Sequence, residues 1–358
     1  MARPLRVLYV FTARKQGLLA RVARGEAPDT LLFGFNHLRG TDVEPEFYEP
    51  EYAPAGRFLA RQVGRLGPDV LQLRTLPRFT SYDVVLLTGC WPLLLAAQAI
   101  PRRRRPKLVW LNLTLTNLLR RRHPTSGLLG LAVELADRIV CVARFQQAFL
   151  SQRLGWHQER LPLVLSGTDA SFFRPQPETA PPSTRYVLAA GRDAGRDYAT
   201  LLQAMPPGHE LHLVCSRLNL AGMQLPPQVR VRYDIPPTEL RAEYAGAAAV
   251  AVPTYDDRAT AGSDCSGTLV LLDALAMGRP AVISERRAVH DYVRAGEHAV
   301  VVPAEQPDSL RDALRRLLDD PDGAQRLAAA GRQRVLDTLT TRHFATRLAQ
   351  VLREVAGA

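Results

Sequence analysis

Short runs of Val, Leu and Ile alternate along the whole chain with stretches in which apolar residues recur every three or four positions. The compact runs at 5–11, 83–88, 107–111 and 138–142 predict strands, and the periodic stretches between them predict helices. These runs are apolar throughout rather than alternating, which suits strands buried on both faces of a parallel sheet. A proline-rich stretch without periodicity, 175–183, reads as a linker. A second series follows, with strands predicted at 185–190, 211–215, 229–233, 248–253, 280–284 and 299–302. Helices are predicted at 238–245 and 267–277, and through a strongly helical tail at 308–317 and 325–355. The fold class this implies is α/β, built as two successive doubly wound halves with a cleft between them.

Composition agrees. The 358 residues are 46% hydrophobic and 23% charged, ordinary for a packed globular protein and too apolar for a disordered one. Net charge is +11, yet only Lys15 and Lys107 are lysines, so arginine supplies nearly all the basic residues. Such a skew partly reflects coding bias and weakens any inference of nucleic-acid binding. Position is more informative than the total. Residues 1–168 hold 24 basic and 12 acidic side chains, whereas 169–358 hold 22 and 23. Within the basic half, Arg102, Arg103, Arg104, Arg105 and Lys107 form one cluster and Arg120, Arg121 and Arg122 another. An anionic acceptor, or a membrane surface carrying a lipid-linked one, fits that surplus. A solvated loop enriched by coding bias is the alternative.

Cys90, Cys141, Cys215 and Cys265 are far apart and form no CxxC pair, so neither a zinc site nor a disulfide framework is expected. The N-terminus is basic and then apolar, but its apolar run is short and leads into Thr12-Ala13-Arg14-Lys15, which reads as a first strand rather than a secretion signal. The longest apolar stretches fall short of the roughly 20 residues of a membrane span. A cytoplasmic protein, at most peripheral at the inner membrane face, is expected.

The densest chemistry lies in Ser263-Asp264-Cys265-Ser266-Gly267-Thr268-Leu269, which opens a helix that stops at Gly278 before Pro280. With Ser266 as N-cap, the amides of Gly267, Thr268 and Leu269 would be free at the positive end of the helix dipole, an anion site suited to a diphosphate. Asp273 would sit roughly 10 Å further up the helix, where a carboxylate can accept ribose hydroxyls. An N-capped core helix with an incidental Asp is the plain alternative. Upstream, Gly191-Arg192-Asp193-Ala194-Gly195-Arg196 follows a predicted strand and presents two arginines at its carboxyl end. Their guanidinium forks suit phosphate oxygens, although a solvated arginine-rich loop would look alike.

Together these motifs resemble the second domain of GT-B glycosyltransferases, in particular the retaining group called family 4, or glycosyl transferases group 1. The likeness rests on Gly191-Arg192 with Arg196 as basic partner, and on the run from Leu272-Asp273-Ala274 to Met277-Gly278-Arg279-Pro280. It is extended by Ala136-Asp137-Arg138, by Gly167-Thr168-Asp169 with Phe173 and Pro175, and by the helix, Ala-rich strand and proline of 240–253. It covers nearly all of 136–357. The resemblance implies two Rossmann-like domains facing a central cleft: an acceptor-side domain at 1–170, a donor-binding domain at 171–337, and a final helix at 338–358 crossing back to the first domain.

The resemblance also implies transfer of a sugar from a nucleoside-diphosphate sugar with retention of configuration. Arg192 and Arg196 would be catalytic, stabilising charge on the leaving diphosphate. Gly17, Ser266, Gly267, Thr268, Leu269, Asp273 and Ile235 would bind the donor, while Asn112, Arg14 and Lys15 would face the acceptor. With positive charge already supplied by arginines and a helix terminus, no metal or cofactor is expected. The chain departs from the family pattern in two places. The first acidic residue of the family's pair falls on Cys265, with Asp264 as a possible substitute, and the first-domain histidine is replaced in the stretch holding Asn112. His37 and His123 are read as surface residues. Two rivals remain: a degenerate nucleotide- or partner-binding protein, favoured by the missing acid, and a sugar-nucleotide epimerase, which would want paired acid and base groups not seen here.

Overall fold

The computed structural model describes residues 3–48, 68–121, 126–175 and 186–357, and two parallel sheets form in it where the apolar runs fall. The chain divides into two units: Met1–Ala20, Leu32–Val164 and Phe344–Ala358 make one, and Arg21–Leu31 with Leu165–His343 make the other. The first contains β1 (Leu5–Val10), β2 (Val43–Phe47), β3 (Val84–Leu87), β4 (Lys107–Asn112) and β5 (Arg138–Cys141), in the order β2-β1-β3-β4-β5. The second contains β6 (Tyr186–Ala190), β7 (Glu210–Cys215), β8 (Val229–Tyr233), β9 (Ala247–Val252), β10 (Ala281–Ser284) and β11 (Val300–Val302), ordered β11-β10-β9-β6-β7-β8.

The central strands are buried on both faces, as their uniformly apolar sequences require. All four residues of β3 are fully buried, and so are Val187, Leu188 and Ala189 of β6. Period-two alternation divides each strand between two cores. In the second unit Leu188, Ala190, Val250, Val252 and Ile283 join one apolar cluster, while Val187, Ala189, Ala249, Ala251 and Val282 join the other.

Two features differ from the sequence reading. β2 was not among the expected strands, because Val43-Glu44-Pro45-Glu46-Phe47 carries two acids and a proline. It forms at the sheet edge, pairing among the described residues with β1 alone, where a proline's missing N–H is tolerated and the exposed glutamates discourage further strand addition. The tail expected as one helix over 325–355 is two, Pro321–Thr338 and Thr341–Ala356. The break arises because Thr340 pairs with Thr168: the Thr168 amide donates to the Leu339 carbonyl at 2.9 Å and the Thr341 amide to the Thr168 carbonyl at 2.9 Å. The proline-rich stretch 175–183 lies, after Pro175, outside the described residues. Among the described residues no helix is long and apolar enough to cross a membrane.

The last helix contributes Phe344, Leu348 and Leu352 to the core, and Arg353 holds Asp42 with two hydrogen bonds of 2.7 and 2.6 Å. Truncating Leu352 to Ala should therefore cost about 2–5 kcal/mol in urea denaturation. Leu218→Ala, at a site 87% exposed, should change stability by less than about 0.5 kcal/mol.

Candidate functional site

In the second sheet the order β11-β10-β9-β6-β7-β8 places the reversal of winding between β6 and β9. Loops leaving the carboxyl ends of those two strands therefore diverge and open a crevice, the usual ligand position in an open α/β sheet. They carry residues 191–197 and 253–267, which hold the motifs singled out in the sequence.

Arg196 is 4% exposed and anchors the crevice. Its Nη2 donates to the Ala190 carbonyl at the end of β6, and its backbone pairs with Thr254 beyond β9. The guanidinium lies against Gly191, whose φ of 137° and lack of a Cβ are both required, since a Cβ there would run into Arg196 Nε. Nη1 is buried without a hydrogen-bond partner and faces Gly267, where a Cβ would approach it to 3.1 Å.

The N-cap of the helix Thr268–Ala276 is Gly267, at φ 88°, and not Ser266 as expected. The left-handed turn at Gly267 carries Ser266 off the helix start, so its hydroxyl makes no cap bond; it is buried and without a partner. Of the amides expected to be free, that of Thr268 donates to the Cys265 carbonyl at 3.2 Å. Leu269 stands half-buried on the first turn. The unpartnered donors at this point are thus side-chain groups, Arg196 Nη1 and the Ser266 hydroxyl, set at the positive end of the helix dipole.

Two residues that the sequence reading did not select join this cluster. Thr254 Oγ1 is buried and without a partner, and the Thr254 methyl lies beside Gly267. The hydroxyl of fully buried Tyr244 is likewise unpartnered; burial holds its pKa well above the usual phenol value, with Asp273 and Arg196 as electrostatic neighbours. Thr254 could have been flagged as the polar residue that ends an apolar strand. Tyr244 gave no local signal, because only tertiary packing brings its helix to the crevice. Each such unmade hydrogen bond costs about 1–3 kcal/mol, a cost that an acceptor-rich ligand would relieve.

Asp193 fixes the loops around this cluster. Its carboxylate accepts the Gly195 amide at 2.8 Å and the Ser263 amide at 2.9 Å, and its carbonyl accepts Asn219 Nδ2 at 3.1 Å. Further along, Arg286 holds the Asp264 carbonyl at 3.1 Å and Asp257 at 3.3 Å. Asp264 is fully buried. Burial, reinforced by Asp264, pushes the Cys265 thiol far above its ordinary range and keeps it neutral.

Asp273 stands on the second turn of the helix and accepts Thr168 Oγ1 at 2.5 Å. Burial pushes its carboxyl up to about 7; the Thr168 bond opposes the shift and Asp169 adds to it. The two arginines, four residues apart, do not form one cluster. Arg192 is exposed and paired with Asp234 at 2.8 Å, and the adjacent Ile235 packs against the core.

The remaining candidates belong to the other unit. Arg14 and Gly17 are exposed beyond the carboxyl end of β1. Lys15 is only 7% exposed, its ammonium 5.4 Å from the Phe11 ring and 5.8 Å from that of Phe33. Asn112 is fully buried: its Oδ1 accepts the Leu115 amide at 3.0 Å and its Nδ2 donates to Thr116, so its carboxamide serves the helix that follows. His37 is half-buried, and His123 and Arg122 lie outside the described residues.

Comparison with known proteins agrees with the fold. Residues 196–350 match the family model described as glycosyl transferase-like. The D-inositol 3-phosphate glycosyltransferase of Corynebacterium urealyticum is 27% identical over 229 residues, 55% of this chain and 52% of that protein. That of Thermobispora bispora is 27% identical over 254 residues, covering 62% and 57%. The chain thus spans about half the length of the curated relatives it matches. Among solved structures, a sucrose-phosphate synthase from Thermosynechococcus elongatus aligns with a TM-score of 0.71 at 18% identity, covering 99% of this chain and 100% of that one. Anabaena Alr3699/HepE in complex with UDP and glucose aligns with a TM-score of 0.68 at 14% identity, covering 98% and 100%. The chain has the GT-B fold.

The Asp273 carboxyl gives a pH test. Between about pH 4 and 7 the folded protein keeps a proton that the unfolded chain has released, so stability falls as pH rises through that window. Asp273→Asn should gain on the wild type by a few kcal/mol, as an order of magnitude, between pH 5 and 8 in denaturation experiments. A constant difference across that range would contradict the assignment.

Proposed function

We propose that the chain is a glycosyltransferase that moves a sugar from a nucleoside-diphosphate sugar to an acceptor with retention of configuration. The observation that carries this reading is the buried Arg196, whose Nη1 has no partner and faces Gly267 at the helix start, next in sequence to Ser266, whose buried hydroxyl is equally unpartnered. A diphosphate supplies the acceptor oxygens those donors need. The bound UDP and UDP-glucose named for the Anabaena structures support a nucleotide-sugar donor.

In this reading the bond between the anomeric carbon and the diphosphate oxygen breaks while Arg196 and the helix start stabilise the charge developing on the leaving group. The acceptor hydroxyl forms the new bond on the same face, and its proton passes to the departing phosphate oxygen. Arg192, released from Asp234, is the second cationic group. Asp273 takes the ribose hydroxyls, and the partly buried Ile235 is assigned to the base. We assign the charge stabilisation to these groups rather than to a metal or cofactor, because a guanidinium and a helix dipole already meet the need. Arg14, Lys15, Gly17 and Asn112 are the corresponding residues of the first unit, and an anionic or lipid-linked acceptor fits that half's basic surplus.

Arg196→Ala should lower donor turnover by roughly 10²–10³-fold, with Arg196→Lys intermediate. Ser266→Ala removes a hydroxyl that bonds to nothing in the protein, so it should fold normally and still weaken donor binding several-fold, about 1 kcal/mol. A thermal-shift screen of sugar nucleotides should find a ligand that stabilises by about 2.7 kcal/mol at 100 times its Kd. Binding without turnover or transfer for every sugar nucleotide would instead indicate a nucleotide-binding protein.

A further inference from the structure

The helix Ser126–Glu134 lacks a polar face. Leu129, Ala132 and Val133 are buried, yet its outer side shows Gly127 with Leu128 and Leu131, 53% and 60% exposed, and only Glu134 at its end is charged. A surface helix in water normally turns charged residues outward. The helix Pro92–Ala96 packs against it and repeats the pattern, with Leu93 and Leu94 buried, Leu95 39% exposed and Trp91 half-buried beside them. This apolar face lies in a segment, 91–135, that holds eight basic residues and a single acid. Arg102, Arg103 and Arg104 stand exposed in the turn that follows, at the amino edge of the sheet, where β4 begins.

We propose that this face docks on an anionic lipid surface, with Leu95, Leu128 and Leu131 at the headgroup boundary and Arg102, Arg103 and Arg104 on the headgroup phosphates. A soluble polyanion would use the arginines and leave the leucines bare. An apolar protein partner would use the leucines and leave the arginines without a counterpart. An anionic bilayer engages both at once, since apolar burial and attraction to acidic lipid act together in interfacial binding. The carboxyl edge of the sheet, with Arg14 and Gly17, lies opposite the docked edge and stays open.

Co-sedimentation of the full chain with phosphatidylcholine vesicles, with and without phosphatidylglycerol, tests this. The wild type should pellet with the acidic vesicles only, and added salt should reduce the bound fraction. Leu128→Ser/Leu131→Ser and Arg102→Glu/Arg103→Glu/Arg104→Glu should each weaken binding by roughly tenfold or more while leaving the melting temperature unchanged. The thermal shift caused by a donor nucleotide should persist in both variants, so this outcome is independent of the transferase reading. A wild type that stays in the supernatant would overturn the proposal. Unchanged vesicle binding by the leucine variant would also overturn it and point to a soluble polyanion.

Discussion

A guanidinium buried with one nitrogen unpaired governs the second unit. Arg196 is held by the Ala190 carbonyl, by the glycine beneath it and by backbone pairing to Thr254, so its charge cannot move away from the crevice. Burying a charge without a counterion is costly, and the residues around Arg196 are arranged to hold it in place despite that cost. The surrounding arrangement accommodates that group. Gly191 and Gly267 give up side chains to make room, the helix Thr268–Ala276 directs its positive end to the same point, and Asp193 ties three loops together around it. Parallel winding makes this economical, because a reversal of strand order opens a crevice at the carboxyl ends without any further device.

Much of this architecture was legible in the sequence. Central strands announced themselves because burial on both faces demands uniformly apolar runs, and the glycine and proline around Gly278 and Pro280 marked the helix stop. Edges were less legible. β2 is stabilised by its pairing with β1 and by Val43 and Phe47 against the core, none of which its acids and proline reveal. At the site, spacing identified Arg196 and Gly267 but could not separate the roles of Arg192 and Arg196. That separation depends on Asp234, 42 positions away, which draws Arg192 outward. The N-cap was misread for a similar reason. Serine is the better cap by preference, but the left-handed turn at Gly267 takes the position and leaves the hydroxyl buried without a partner.

Charge is partitioned in the same physical way. The second half is nearly neutral in total, yet it concentrates unpaired donors at one end of its sheet. The first half carries the surplus, much of it at the amino edge next to exposed leucines. The total of +11 hides this division; the halves are proposed to meet different anionic partners, one small and enclosed and one broad and flat.

The discontinuous composition of the first unit bears on how the chain is made. Its last segment, Phe344–Ala358, supplies buried Phe344, Leu348 and Leu352, but leaves the ribosome only after the whole of Leu165–His343. At roughly 5–20 residues per second, about ten to forty seconds separate the emergence of the first unit's sheet from that of its final helix. During that interval the apolar surface awaiting those side chains is uncovered. The second unit is complete first, although its sequence begins later, so the order of folding is set by the helix Thr341–Ala356, translated after both sheets.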